Sequence, residues 1–292
     1  MSETAAPPLV RLERKGPVAL LTIDHPPVNV LSAAVLNALI ARLDEVEKDP
    51  DLRVVVLCGA AEKAFAAGAN IREMAPMGPS EARVHGGRGQ SVTTRIESLP
   101  LPVIAAVHGS CLGGGCEIAL ACDVVLASEE AVFGQPEINL GVMPGWGGTR
   151  RLPRRIGAAR ARAWILTGRP ARAQEAFEAG WVYRVVPRAD LLRDAFALAE
   201  ELAQKPAVAL AAAKYALNHA IDPALREGLA YELDLWARLF GTPDQKEGMA
   251  AFLEKRALRP APKARFADDS RGFPWASTAD PTTAETGAKR KN

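Results

Sequence analysis

The stretch HGSCLGGGCEIALACD, residues 108–123, sets Gly113, Gly114 and Gly115 directly before Glu117 and an apolar run. A strand, a glycine-rich turn and a helix start form a general plan for presenting backbone N–H groups to negative charge. Three chemistries use it. A dinucleotide site wants a spaced G-x-G-x-x-G after the first strand, whereas this run is contiguous and lies beyond residue 100. A phosphate-binding loop wants Gly-Lys-Ser/Thr, and the stretch carries no lysine. An oxyanion hole wants two preorganised N–H donors around a carbonyl oxygen that gains charge, and glycine leaves the approach open because it has no Cβ. The same glycines equally serve a helix packed tightly on a strand, so the run alone leaves both readings standing.

A second constellation follows in FGQPEINLGVMPGWGGTRRLP, residues 133–153, with Glu137 after a proline and glycine turns at Pro144-Gly145 and Gly147-Gly148. A carboxylate in so apolar a neighbourhood is unusual unless its charge is used or satisfied. Two carboxylates near one site divide acid and base roles when burial and mutual repulsion push their pKa values apart. Taken singly, Glu117 and Glu137 serve as well as salt-bridge partners.

The elements that must position these groups alternate. Runs at 18–23, 54–59, 103–109, 123–128 and 181–186 are β-branched and read as buried strands, an α/β signature. Val35, Leu36, Leu39, Leu43 and Val46 recur at helical spacing between Ser32, a candidate cap, and Pro50. After about residue 190 the strand signals stop, and helical patterns occupy 190–204, 207–220, 223–240 and 243–256. The last starts with Thr242 as cap, Pro243 at the first helical position and Gln245 three residues after the cap. This predicts a flexible start over 1–9, an α/β core over 10–189 and a helical appendage over 190–256. The composition of 257–292 predicts a disordered tail. No short-period internal repeat is evident.

With 292 residues, 48% of them hydrophobic, the chain can bury one large core. Its 36 basic and 34 acidic residues nearly cancel, so composition names no polyanionic partner. Cys58, Cys111, Cys116 and Cys122 lack paired metal-ligand spacing and read as buried thiols in a reducing compartment. The first residues show no signal, transit or membrane segment, which makes a cytoplasmic location the expectation.

Four blocks, KAFAAGANIREM (63–74), AAVHGSCLGGGCEIALACD (105–123), FGQPEINLGVMPGWGGTRRLP (133–153) and EGMAAFLEKR (247–256), resemble the enoyl-CoA hydratase/isomerase family, the crotonase superfamily, over residues 10 to 256. The resemblance implies an α/β spiral of strand-strand-helix units with a C-terminal helical trimerisation region, assembled as a trimer or a dimer of trimers. It implies an acyl-CoA thioester substrate in fatty-acid or related acyl-CoA metabolism, with no cofactor, since coenzyme A is part of the substrate, and no metal. The oxyanion donors fall on the N–H groups of Ala69 and Gly114. The hydratase carboxylates fall on Glu117, which deprotonates water, and Glu137, which supplies a proton to C2. Coenzyme A contacts fall on Ala67 for the adenine, Arg72 for the phosphates, and Phe252 and Lys255 for the nucleotide from a neighbouring subunit. From the pattern alone, Arg72 serves as well as a surface charge, and Phe252 could equally be core of the appendage.

Two departures stand out. Asn70 replaces the acid usual in the family after the oxyanion alanine, and the glycine-rich segment 75–100, which walls the acyl pocket in the family, is not diagnostic. The implied activity is a 2-enoyl-CoA hydratase, a lyase. A Δ3-Δ2 enoyl-CoA isomerase is the nearest alternative, and a non-catalytic protein that binds coenzyme A, or RNA through its basic tail, is another.

Overall fold

The computed structural model describes residues 8–220 and 225–257. Among the described residues, ten strands form two sheets. They are β1 (Val10–Lys15), β2 (Val18–Ile23), β3 (Val54–Gly59), β4 (Ala64–Ala66), β5 (Val103–Val107), β6 (Ser110–Leu112), β7 (Val124–Ser128), β8 (Val132–Gly134), β9 (Ala171–Arg172) and β10 (Arg184–Val186). One sheet runs β1-β2-β3-β5-β7-β10 and the other β4-β6-β8-β9. Pairing is parallel except at β1-β2 and β8-β9.

The helices are α1 (Ala33–Lys48), α2 (Ile71–Met74), α3 (Pro79–Ser98), α4 (Gly114–Ala121), α5 (Gly148–Ile156), α6 (Ala158–Thr167), α7 (Ala173–Glu178), α8 (Leu191–Ala203), α9 (Ala207–Ala220), α10 (Leu225–Leu239) and α11 (Pro243–Leu253). A 3-10 helix spans Pro136–Leu140. The two caps read from sequence are made: Ser32 accepts from the N–H of Val35, and Thr242 from that of Gln245.

The parallel strands of the larger sheet are apolar on both faces because both faces are covered. Leu21, Val55, Leu57, Ala105 and Val107 pack with Leu36, Leu39 and Leu43 of α1. The alternate residues Val18, Leu20, Val54, Val56, Ile104 and Ala106 pack with Leu191, Ala195 and Ala199 of α8. The α/β reading of the sequence stands, with two corrections and one addition. Helix α8 is the second cover of the sheet, so the core does not end at residue 189. Segment 75–100 contains the long helix α3 despite its glycines. The last strand begins at Arg184, and Trp181 and Val182 pack in the core as loop residues.

The two sheets arise from a repeated unit. β3-β4, β5-β6 and β7-β8 each send the first strand to the large sheet and the second to the small one, and each continues into a helical turn. β4, β6 and β8 are parallel neighbours, so the turns that follow them lie side by side at the carboxyl ends of three strands. Open parallel sheets bind ligands at such ends. Among the described residues no helix is long and apolar enough to cross a membrane. The expected flexible start and disordered tail lie, except for residues 8, 9 and 257, outside the described residues.

Candidate active site

Ala69 follows β4, Gly114 follows β6 and Glu137 follows β8, so three residues distant in sequence sit at adjacent strand ends. Each backbone is fixed by its neighbours. Leu31 forms a parallel bridge to Ala69, its N–H donating to the Gly68 carbonyl at 2.8 Å and its carbonyl accepting from Asn70 N–H at 3.3 Å. Groups along extended backbone alternate sides, so the Ala69 N–H faces away from Leu31. Gly113 N–H donates to the Gly134 carbonyl at 2.9 Å, and Gly114 is the first residue of α4, whose N–H has no intrahelical acceptor. Among the described residues neither the Ala69 nor the Gly114 N–H has a hydrogen-bond partner.

The three glycines do different work. Gly113 has φ 51°, and a Cβ there would lie 3.2 Å from Glu137 Oε1 and 3.8 Å from the Gly68 Cα, which places the two loops and Glu137 together. A Cβ on Gly114 would lie 2.2 Å from the Trp146 indole. Gly115 brings α4 against β4, where a Cβ would lie 2.2 Å from the Ala66 carbonyl oxygen. The tight-packing reading therefore holds for Gly115, while Gly113 and Gly114 border the site.

Glu117, one turn into α4, is buried, and its Oε1 accepts from the N–H groups of Trp146 and Gly148 at 2.7 Å each. These donors open α5, whose dipole favours a carboxylate there. Burial, with Glu137 and Glu232 nearby, still pushes the Glu117 carboxyl well above the usual range, against the pull of those two N–H groups. Glu137 is half-buried, and its Oε2 is enclosed without a partner. Burial pushes its carboxyl up to about 8, with the Glu232 charge adding to the shift. Sequence reasoning kept open whether Glu117 and Glu137 meet; they do, and the Glu137 charge adds to the upward shift of Glu117.

A third buried carboxylate, Glu232 on α10, escaped the sequence reading. Its Oε1 accepts from Gly147 N–H at 2.6 Å, and its Oε2 from the N–H and hydroxyl of Thr149. The signal was present: Glu232 interrupts the apolar stripe of Leu229, Leu233 and Trp236 at helical spacing. Arg151 completes the turn, donating to the Trp146 carbonyl at 2.7 Å and pairing with both oxygens of Glu97 at 2.7 and 2.6 Å.

Asn70 caps α2, accepting from Arg72 N–H at 3.1 Å and donating to Glu73, which in turn accepts from Ala33 N–H at the start of α1. The amide thus keeps local hydrogen bonding without a charge of its own. Ala67 is partly exposed beside this turn, and Arg72 is exposed on α2. Phe252 is 57% exposed on α11, so of its two open readings it is not core of the C-terminal helices. Lys255 is exposed just beyond. All four cysteines are free and buried. Among the described residues no cluster of His, Cys, Asp or Glu is arranged to hold a metal ion.

A family model described as enoyl-CoA hydratase/isomerase matches residues 13–260. The chain belongs to the enoyl-CoA hydratase/isomerase family. Within the family it is 46% identical over 249 residues to a probable enoyl-CoA hydratase of Mycobacterium tuberculosis, covering 85% of this chain and 96% of that one. It is 42% identical to a short-chain-enoyl-CoA hydratase of Clostridium acetobutylicum, covering 85% of this chain and 96% of that one. Its fold is similar to the crystal structure of a carnitinyl-CoA hydratase from Mycobacterium avium, with a TM-score of 0.78, 34% identity, and coverage of 89% of this chain and 100% of the other.

Proposed function

We propose that this member of the family is a 2-enoyl-CoA hydratase, a lyase of fatty-acid or related acyl-CoA metabolism that adds water reversibly across C2=C3 of a trans-2-enoyl thioester. The observation that carries the reading is the meeting, at three adjacent strand ends, of two unpaired N–H groups with two carboxyls in unlike surroundings. The thioester carbonyl oxygen sits between the N–H groups of Ala69 and Gly114, which draw electron density from C3 and hold the enolate charge. Glu117, whose charge is supported by two N–H donors, takes a proton from water as the water oxygen bonds to C3. Glu137, whose enclosed Oε2 lacks any donor, keeps its proton and delivers it to C2 as the enolate collapses. The product gains one water across the double bond, and the pair resets by exchanging its proton with solvent.

Coenzyme A then lies along Ala67 and Arg72, with Phe252 and Lys255 reaching the nucleotide across a subunit boundary. The exposed Val208, Tyr215 and Leu217 of α9 support a self-associating chain, a trimer or a dimer of trimers. The relatives named as hydratases favour hydration over Δ3-Δ2 isomerisation, for which Glu137 alone suffices.

The test is the loss of enoyl-thioester absorbance across 2-enoyl-CoAs from four carbons upward. Turnover that falls by roughly 10²–10⁴ in Glu117→Gln supports the reading. Wild-type enzyme that leaves every chain length unchanged removes it, and isomerisation of a 3-enoyl-CoA by that same enzyme would install the alternative.

A further inference from the structure

The backbone that leads into α5 presents four consecutive N–H groups, Trp146 to Thr149, and two carboxylates divide them. Trp146 and Gly148 donate to Glu117, at 2.7 Å each, while Gly147 and Thr149 donate to Glu232. N–H groups at the start of a helix have no intrahelical acceptor, so these four are satisfied from outside it. Their acceptors come from α4 on one side and α10 on the other, while the carbonyls of Gly145 and Trp146 are held by Gln90 and Thr93 of α3 and by Arg151. We infer that Glu232 is a positioning residue for the hydratase site, seating the 146–149 turn so that its alternate N–H groups meet Glu117. The inference rests on the hydration reading of the same site.

Three observations support it independently of one another. Glu232 is 2% exposed, and a carboxylate is not buried in an apolar stripe without a use for its charge. The turn has little freedom of its own: Gly147 has φ 109°, and a Cβ on it would meet the Arg151 guanidinium at 1.7 Å. The charged groups around the turn are disposed asymmetrically. Glu117 from α4 and Glu232 from α10 reach it, Glu137 from the 3-10 helix lies within electrostatic reach of both, and the cation facing the first two, Arg151 of α5, is already paired to Glu97 of α3. Glu232 thus acts in two ways. Through the backbone it sets the direction of the two N–H groups that steady the base. Through its charge it raises the affinity of Glu137 for its proton.

The two actions give separate readouts on a 2-enoyl-CoA that the wild type hydrates. Glu232→Gln keeps the shape but removes the charge and turns one acceptor into a donor facing an N–H group. Loss of alignment without loss of substrate contact lowers kcat by on the order of 10- to 100-fold with KM little changed. Loss of the charge lets Glu137 ionise at lower pH, so the alkaline limb of kcat/KM moves down by about half a unit or more. A purely structural role lowers the folded fraction but leaves kcat per folded enzyme and that limb unmoved. Wild-type kcat and an unmoved alkaline limb in a folded Glu232→Gln enzyme overturn the inference. Should that variant fail to fold, Thr149→Val, which removes one donor to Glu232 and leaves every carboxylate in place, decides: a several-fold fall in kcat at constant KM supports the clamp, and wild-type kcat overturns it. A wild type that hydrates no 2-enoyl-CoA counts against the hydratase reading instead, and the same variants are then read on 3-enoyl-CoA isomerisation.

Discussion

Glu137 holds its proton at a cost to the fold. Its carboxyl ionises near 8 in the folded chain against an ordinary 4.5, because burial disfavours the charge. The folded state therefore binds more protons than the unfolded state between those values, and stability falls as pH rises from about 4.5 to about 8. Below 4.5 both states hold the proton and the penalty vanishes. Above 8 both have lost it and the penalty is constant. Glu137→Gln cannot ionise and escapes the penalty. The variant is expected to melt higher than wild type at pH 8, by at least about 1 kcal/mol in stability, and to match it more closely at pH 5. Hydration by the variant falls sharply, since the proton for C2 is gone. Thermal melts at the two pH values check the first half and the absorbance assay the second. A variant less stable than wild type at pH 8 would show that the carboxylate has a partner in the folded protein.

At the scale of the element, α3 carries three glycines within four residues, Gly86, Gly87 and Gly89, and still runs as one helix from Pro79 to Ser98. Helix propensity argues against this by about 1 kcal/mol for each glycine. Packing outweighs propensity because a Cβ on Gly86 would come within 2.6 Å of Leu233, and one on Gly89 within 2.1 Å of the Trp146 indole. Gly87 is different, since a Cβ there finds only Leu233 Cδ2, at 3.8 Å. Gly87→Ala is therefore expected to stabilise the protein by up to about 1 kcal/mol with unchanged turnover. Gly89→Ala, against the same propensity gain, is expected to displace Trp146, lower the melting temperature and slow hydration, because the Trp146 N–H is one of the two on Glu117. The pair of variants, melted and assayed together, separates helix propensity from packing. This explains why α3 was illegible in the sequence while α1 was plain. In α1, Val35, Leu36, Leu39, Leu43 and Val46 carry the buried face themselves. In α3 the glycines make room for residues that other elements supply, and a pattern of absences has no period.

Over the whole molecule, strands β2, β3, β5, β7 and β10, the Gly113–Gly115 run, Glu117 and Glu137 were legible because each is a local feature: a β-branched run, a glycine turn, a carboxylate in apolar company. β1 and the short strands of the small sheet were not, and Ala69 entered only through the family resemblance. The repeated unit was legible only through the family resemblance: β3-β4, β5-β6 and β7-β8 follow one plan, but the helical insertions between units differ in length and no sequence period survives them. Glu232 was missed for a related reason. It breaks an apolar stripe, but two of its three donors are backbone N–H groups, which leave no mark in side-chain chemistry to say what the carboxylate meets. The same holds for the attachment of the C-terminal helices. Lys214 of α9 is buried, donates to the carbonyls of Ile96 and Leu101 at 2.9 Å each, and pairs with Asp123 at 2.8 Å. One ammonium group thereby ties α9 to the end of α3, to the loop before β5 and to the start of β7. Burial alone lifts the Asp123 carboxyl, and Lys214 opposes that lift. Lys214→Met leaves Asp123 charged and enclosed with only the Val103 N–H, at 2.7 Å, and strands two carbonyls. Breaking one side of a buried pair costs about 3 kcal/mol, so the denaturation midpoint should drop markedly. Without the ammonium, Asp123 ionises less readily in the folded chain, so the loss should be larger at pH 8 than at pH 5. Asp123→Asn added to Lys214→Met removes the stranded charge and should recover part of the stability, most visibly at pH 8. A double variant no more stable than the single one would mean that the two carbonyls, rather than the carboxylate, make Lys214 necessary.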